Sequence, residues 1–312
     1  MRRRFALLLL LAFAFALTAT SAHQQEPKKK NEVRQDPKQK TETLPAEQDE
    51  TLTFDTNLIV VNVTITDDKD RYVSGLKRED FSVFEDKSPQ KIVNFSYDEN
   101  PFSVVILLDV SLSMQNKLSL ARAACANFVN GLRDGDTFAI YSFGGLKVKT
   151  LQDFTEVRDV PDSVWDMKPD GETPLYDAIA KAADALAKRP ESRRAILVVS
   201  DGADTRSKAT LDQALRKSLA AQASIYGVDM TDAAVFRSQP RDNGAEVMKE
   251  LAAKSGGKFF PVAGGSKLRD AFANTIEELR HQYTIGYESN NERFDGRWRA
   301  IEVKLNKPLL NV

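Results

Sequence analysis

The sequence predicts an α/β fold: a doubly wound, mostly parallel sheet flanked by helices, with a small β-sandwich-like module formed by the strands on either side of it. Three observations carry this. Val104-Val105-Ile106-Leu107-Leu108 and Ala195-Ile196-Leu197-Val198-Val199 are continuously apolar, as strands buried on both faces are. Between and after them, short strands alternate with helical stretches, the rhythm of a parallel sheet. β-branched runs stand before and after that block with no long helix among them.

The first residues read as an address. Arg2-Arg3-Arg4 is a cationic head, Phe5 to Leu17 an apolar stretch, and Thr20-Ser21-Ala22 supplies small residues for cleavage, the pattern of a secretory signal peptide over residues 1–22. The apolar stretch is shorter than the ~20 residues a membrane span needs. No integral membrane span is expected in the mature chain, and export to the periplasm, cell surface or medium is. Residues 23–52 hold no aromatic and include Lys28-Lys29-Lys30; with so little apolar surface to bury, they read as a disordered tether.

Residues 53–100 read as an N-terminal β-module. Leu58 to Thr66 is β-branched and largely alternating, Asp67-Asp68-Lys69-Asp70 turns the chain, and Phe81–Asp86 and Lys91–Phe95 are two further strands separated by Lys87-Ser88-Pro89-Gln90. Residues 101–282 hold the α/β domain. Its predicted strands are Val104–Leu108, Thr137–Ser142, a short Lys147–Leu151, Ala195–Ser200, Ser224–Asp229 and Lys258–Val262. Its predicted helices are Leu118–Leu132, Leu175–Lys188, Leu211–Gln222, Ala245–Lys254 and Lys267–Arg280. Residues 283–312 return to strands, Tyr283–Tyr287 and Trp298–Leu305. Domain termini commonly lie close together, so the terminal strands are expected to pair and complete the β-module around an inserted α/β domain.

Composition narrows the function. The 312 residues carry 44 basic and 45 acidic side chains, without the basic excess of a nucleic-acid binder. Removing residues 1–22 takes three arginines and no acid, moving the formal charge from −1 to −4. Cys125 is alone, so no intramolecular disulfide forms, and its apolar neighbours make it a small buried hydrophobe. With only His23 and His281 present, histidine chemistry is a poor basis for function.

Three polar clusters fall at loops where a doubly wound sheet forms its binding crevice, beyond the carboxyl ends of strands. They are Asp109-Val110-Ser111-Leu112-Ser113, Asp170-Gly171-Glu172-Thr173-Pro174 and Ser200-Asp201-Gly202-Ala203-Asp204-Thr205. Their donors are oxygens, the set that Mg²⁺ prefers, with Mn²⁺ and Ca²⁺ sharing it; zinc would call for His or Cys. Asp109, Ser111 and Ser113 share one turning loop, Asp201 offers a second carboxylate, and Thr173 a hydroxyl from a third loop. Hydroxyls leave the ion's charge unneutralised and a position open for an outside oxygen.

Each cluster also has a plain structural reading. Asp and Ser cap helices, Thr173 beside Pro174 fits a helix start, and Asp201-Gly202 fits a turn. Asp204 and Glu172 read as solvated loop charges, and Trp165 and Trp298 as packing residues. In order and at strand ends, the three motifs together resemble the metal-ion-dependent adhesion site of von Willebrand factor type A domains, over about residues 101–282. Leu112 stands where that family frequently has Gly. The flanking strand modules resemble those of secreted bacterial proteins carrying such a domain.

The resemblance implies a Rossmann-like fold, a metal held by Asp109, Ser111, Ser113, Thr173 and Asp201, and a protein partner offering an Asp or Glu carboxylate to the metal's vacant position. It implies no enzyme. The rival readings are a metal-dependent phosphoester hydrolase with Asp109 as nucleophile, and a structural envelope scaffold without metal function. Hydrolases that resemble the first scheme carry a second Asp two residues on, where this chain has Ser111. The sequence has no phosphate-cradling Gly-x-x-x-x-Gly-Lys-Ser/Thr and no Gly-x-Ser-x-Gly elbow.

Overall fold

The structure, a computed structural model, describes residues 58–97, 100–201, 204–231, 244–261, 265–291, 293, 295, 297–307 and 310–312. The leader and tether read from the sequence lie outside the described residues, as do Gly202 of the third motif and Val262 of a predicted strand.

In chain order the elements are β1 (Leu58–Thr64), β2 (Phe81–Glu85), β3 (Ser88–Gln90), β4 (Ile92–Ser96), β5 (Phe102–Asp109), α1 (Leu118–Asn130), β6 (Thr137–Gly144) and β7 (Lys147–Thr155). They continue with α2 (Asp162–Trp165), α3 (Leu175–Leu186), β8 (Arg193–Ser200), α4 (Leu211–Ala220), β9 (Ala223–Asp229), α5 (Gly244–Ser255), β10 (Phe259–Pro261), α6 (Gly265–Arg280), β11 (Gln282–Glu288) and β12 (Ile301–Leu305). Single 3₁₀ turns occupy Arg78–Asp80 and Leu112–Met114.

Six strands form one sheet in the order β10-β9-β8-β5-β6-β7, parallel except for the hairpin partner β7. β5 lies inside it, and all eight of its residues are buried. The run Val104–Leu108 is continuously apolar because both faces are covered. Val104, Ile106 and Leu108 pack with α1 and α6 side chains such as Phe128 and Phe272. Val105 and Leu107 pack with α3, α4 and α5 through Ile179, Leu215 and Leu251. Truncating a fully buried residue such as Leu107 to Ala is expected to destabilise the fold by about 2–5 kcal/mol.

The remaining strands make two three-stranded sheets, β1-β11-β4 and β12-β2-β3. Each joins strands from opposite ends of the chain: β1 pairs antiparallel with β11, and β12 with β2. They share a core of Val63, Ile65, Phe81, Val83, Tyr283, Ile285 and Tyr287. Within it the Tyr283 hydroxyl donates to the Val73 carbonyl (2.9 Å) and accepts the Leu76 N–H (3.2 Å). α6 runs into β11 across His281 alone. The buried Arg193 of β8 fastens that junction, donating to the carbonyls of Arg280 (3.0 Å) and Gln282 (2.7 Å), while Arg280 pairs with buried Asp136 at 2.7 Å.

Several elements differ from expectation. Ser88–Gln90, read as a separator, is the edge strand β3; Pro89, which has no N–H to give, is tolerated at an edge. β7 extends to Thr155, and the last strand starts at Ile301 rather than Trp298. Trp298 is half-exposed, its indole N–H donating to Asp212 (3.0 Å) beneath the Arg216 guanidinium. Cys125 is fully buried in the α1 face of the core, and burial pushes its thiol up to about 12.

Candidate metal site

β5 and β8 are parallel neighbours, with Leu108 opposite Val199. Their carboxyl ends therefore bring Asp109 beside Ser200 and the Asp201 that follows. Asp109 is fully buried; its carboxylate accepts the Ser111 N–H (2.7 Å) and the Ser200 hydroxyl (2.5 Å). The Ser111 and Ser113 hydroxyls are 3.0 Å apart, and Ser113 donates to one oxygen of Asp201 at 2.7 Å. Lys117 donates to the other Asp201 oxygen at 2.5 Å. Four of the five residues named from the sequence thus join in one hydrogen-bonded cluster, together with Ser200 and Lys117.

Thr173 arrives from the loop before α3. That loop is stitched to the Asp109 loop by the Asp170 N–H to the Val110 carbonyl (2.6 Å) and the Leu112 N–H to the Gly171 carbonyl (3.2 Å). Gly171 and Gly145 meet here with positive φ angles of 50° and 59°, and a Cβ on Gly171 would lie 3.0 Å from the Gly145 Cα. Thr173 is buried and exchanges bonds with Thr205, its N–H to the Thr205 hydroxyl (2.9 Å) and its carbonyl to the Thr205 N–H (2.9 Å). These bonds run to the loop after β8, and Thr173 does not join the bonded chain from Asp109 to Asp201 among the described residues.

Ser111 takes the N-cap position of the 3₁₀ turn Leu112–Met114, but its side chain makes no capping bond. The residue capping α1 is Lys117, well past Asp109, Ser111 and Ser113. The residue capping α3 is Pro174, and among the described residues no bond runs from the Thr173 side chain to the helix. Asp204, read as a solvated charge, instead accepts the Tyr176 N–H in the first turn of α3 (3.2 Å) and closes its own loop onto Ser207. Glu172 does face solvent, 3.1 Å from Arg206. Leu112 fits where the family frequently has Gly because its backbone enters the 3₁₀ turn while its side chain, 62% exposed, points outward.

The electrostatics are uneven. Burial pushes the Asp109 carboxyl up to about 6, against the lowering effect of its bonds to Ser200 and Ser111, and the neighbouring Asp201 charge adds to the rise. Lys117 supplies positive charge, but it sits on Asp201 and not on Asp109.

Two observations bear on whether a divalent cation fits. The donors are two carboxylates and three hydroxyls, all hard oxygens. Among the described residues no group of three or more His, Cys, Asp or Glu is arranged to hold a metal, so a site here depends on the hydroxyls. Second, a cation already rests on Asp201: the Lys117 ammonium stands in for positive charge at this carboxylate. The residues fit a small oxygen-coordinated ion. Sequence reading missed Lys117. The available signal was a lysine at the N-terminus of a helix, where a positive charge opposes the helix dipole.

Residues 104–203 match the sequence profile of the von Willebrand factor type A domain. No curated protein matches the chain. Among solved structures, an aerotolerance-related membrane protein from Bacteroides fragilis is 20% identical, with a TM-score of 0.46 over 57% of this chain and 98% of that one. A von Willebrand factor type A protein from Catenulispora acidiphila is 14% identical, with a TM-score of 0.47 over 72% of this chain and 50% of that one. The pilus adhesin SpaC from Lactobacillus rhamnosus GG is 10% identical, with a TM-score of 0.47 over 64% of this chain and 34% of that one. Among the described residues no helix is long and apolar enough to cross a membrane. The segment that matches the von Willebrand factor type A profile, residues 104–203, contains Asp109, Ser111, Ser113, Thr173 and Asp201.

Proposed function

We propose that this chain is an exported, non-catalytic binding protein of the secreted bacterial kind, which uses a metal-ion-dependent adhesion site to hold a carboxylate of a protein partner. Asp109, Ser111, Ser113, Thr173 and Asp201 would hold the ion, Mg²⁺ or its oxygen-liganded equivalents Mn²⁺ and Ca²⁺. When bound, a hard divalent cation supplies a concentrated positive charge for an Asp or Glu side chain of the partner. The chain's own part is to present two carboxylates and three neutral hydroxyls, and to leave room for an outside oxygen.

The observation that carries this reading is Asp109. It is a fully buried carboxylate whose bonds come from neutral donors and whose neighbour is a second carboxylate. Burying a charge in that way is unfavourable unless a cation answers it. Two large apolar side chains on loops linked to the site, Leu112 at 62% exposure and Leu146 at 72%, offer contact area beside it. The export reading rests on the leader pattern at residues 1–22.

The test is capture from the source envelope in Mg²⁺, in chelator and with Asp109→Ala. The captured partner is then titrated calorimetrically with and without Mg²⁺. Binding is expected only with Mg²⁺ and only to the unmodified protein, and it should be lost when the partner's accessible acidic residue is replaced. Equal affinity with and without Mg²⁺ overturns the adhesion reading, and metal-dependent phosphoester turnover replaces it with the hydrolase.

A further inference from the structure

Lys117 is the residue of the site that neither the sequence motifs nor the donor chemistry anticipated. It caps α1, and its carbonyl accepts the Ala121 N–H (2.9 Å) in the first turn. An ammonium group in that position faces the positive end of the helix dipole, so helix electrostatics do not hold it there. Asp201 does: the Lys117 ammonium lies 2.5 Å from one carboxylate oxygen, with the lysine side chain 16% exposed and the aspartate 4%.

The bond completes a closed arrangement. Ser200 gives its proton to Asp109, and Ser113 gives its own to the second Asp201 oxygen. That leaves Ser111 as the donor in the bond between the two serines. Both Asp201 oxygens and all three hydroxyl protons are thereby engaged, and one positive charge serves a pair of neighbouring carboxylates. A divalent ion held by the same carboxylate and the same two serines would lie within a few ångströms of that ammonium, as a like charge competing for one Asp201 oxygen.

We propose that Lys117 is a resident counter-ion: it holds the site assembled when no divalent ion is present, and it must leave Asp201 when one binds. Lys117 therefore sets the divalent-ion concentration at which the site becomes competent. The proposal rests on the cation-site reading above and concerns its regulation.

The test is a calorimetric titration of Mn²⁺ and of Mg²⁺ alone into the wild-type protein, Lys117→Met and Lys117→Arg, each checked for folding by circular dichroism. Met keeps the length and apolar stem but has no charge; Arg keeps the charge. Lys117→Met is expected to bind Mn²⁺ about tenfold or more tightly than wild type, and Lys117→Arg no more tightly. Its melting temperature should fall below the wild-type value in chelator and rejoin it in saturating Mn²⁺. A second measurement on the unmodified protein covers misfolding of the variants: acylation of Lys117, followed by mass spectrometry, should speed up when Mn²⁺ is added. Equal or weaker Mn²⁺ binding by a folded Lys117→Met, or Lys117 acylation unchanged by bound Mn²⁺, overturns the counter-ion role while leaving the cation site intact. Absence of any Mn²⁺ or Mg²⁺ binding in both wild type and Lys117→Met overturns the cation site and the counter-ion role together.

Discussion

Two buried carboxylates, Glu85 in the β-module and Asp109 at the end of β5, meet the same physical problem and resolve it in opposite ways. Burial raises both. At Glu85 that rise is outweighed by the Arg299 guanidinium (2.9 Å), the Tyr287 hydroxyl (2.9 Å) and the Ser289 hydroxyl (2.9 Å), and the carboxyl ends below its ordinary value. At Asp109 the bonds from Ser200 and Ser111 do not outweigh burial, the Asp201 charge adds to it, and the carboxyl is pushed up to about 6. The first charge has its counter-charge built in and belongs to the fold. The second is held by neutral donors beside another carboxylate, and the cation proposed here would supply the charge it lacks.

The comparison breaks most sharply at Glu85. Glu85→Gln leaves Arg299 and the Tyr287 hydroxyl without their anion and is expected to destabilise the protein by about 3 kcal/mol, read from urea unfolding. The pH dependence follows from a folded value below the ordinary 4.5. Glu85 contributes stability that is fully present above that value and is lost as pH falls through the lower folded one. The variant should lose this acid-sensitive component.

Asp109→Asn should act in the opposite direction on the ion-free protein. The carboxyl rises from 3.8 to about 6 on folding, so the folded chain holds its proton longer than the unfolded one. Its contribution is present below pH 4 and is lost as pH rises to about 6. Above that range an amide avoids the penalty, and in chelator at pH 7.5 the variant is expected to gain about 2 kcal/mol. An Asp109→Asn protein as destabilised as Glu85→Gln would erase the distinction between the two carboxylates. Thr173→Ala is the mildest change. Thr173 is tied to Thr205 by main-chain groups that the substitution keeps. Stability should shift by less than about 1 kcal/mol; because Thr173 lies outside the bonded chain from Asp109 to Asp201, its hydroxyl is expected to join the ion mainly once the partner is bound, so partner affinity falls about tenfold and Mn²⁺ affinity by no more than about twofold.

The parallel sheet was legible because its central strands carry an unmistakable signature. Val104–Leu108 and Ala195–Val199 have no polar residue to spare for a solvent face, and both strands are buried almost throughout. Pro89 hid β3, because a residue without an N–H reads as a break unless the strand is known to lie at an edge. At the site, motif order and strand ends picked out Asp109, Ser111, Ser113 and Asp201, which the fold joins in one bonded cluster, and Thr173, which it ties to Thr205 instead. Lys117 was not, since its pairing with Asp201 spans 84 residues and exists only once β5 and β8 are neighbours. Asp204 was misread for the same reason: the Tyr176 N–H it accepts belongs to the first turn of α3, 28 residues back in sequence.

Whether the carboxyl ends of β5 and β8 hold one divalent cation through Asp109 is decided by a Mn²⁺ titration followed by electron paramagnetic resonance. Signal from free Mn²⁺ should be suppressed by the unmodified protein up to one equivalent, and Asp109→Ala, folded by circular dichroism, should suppress none. Identical titration curves for the two proteins, or no bound Mn²⁺ in either, would contradict the claim.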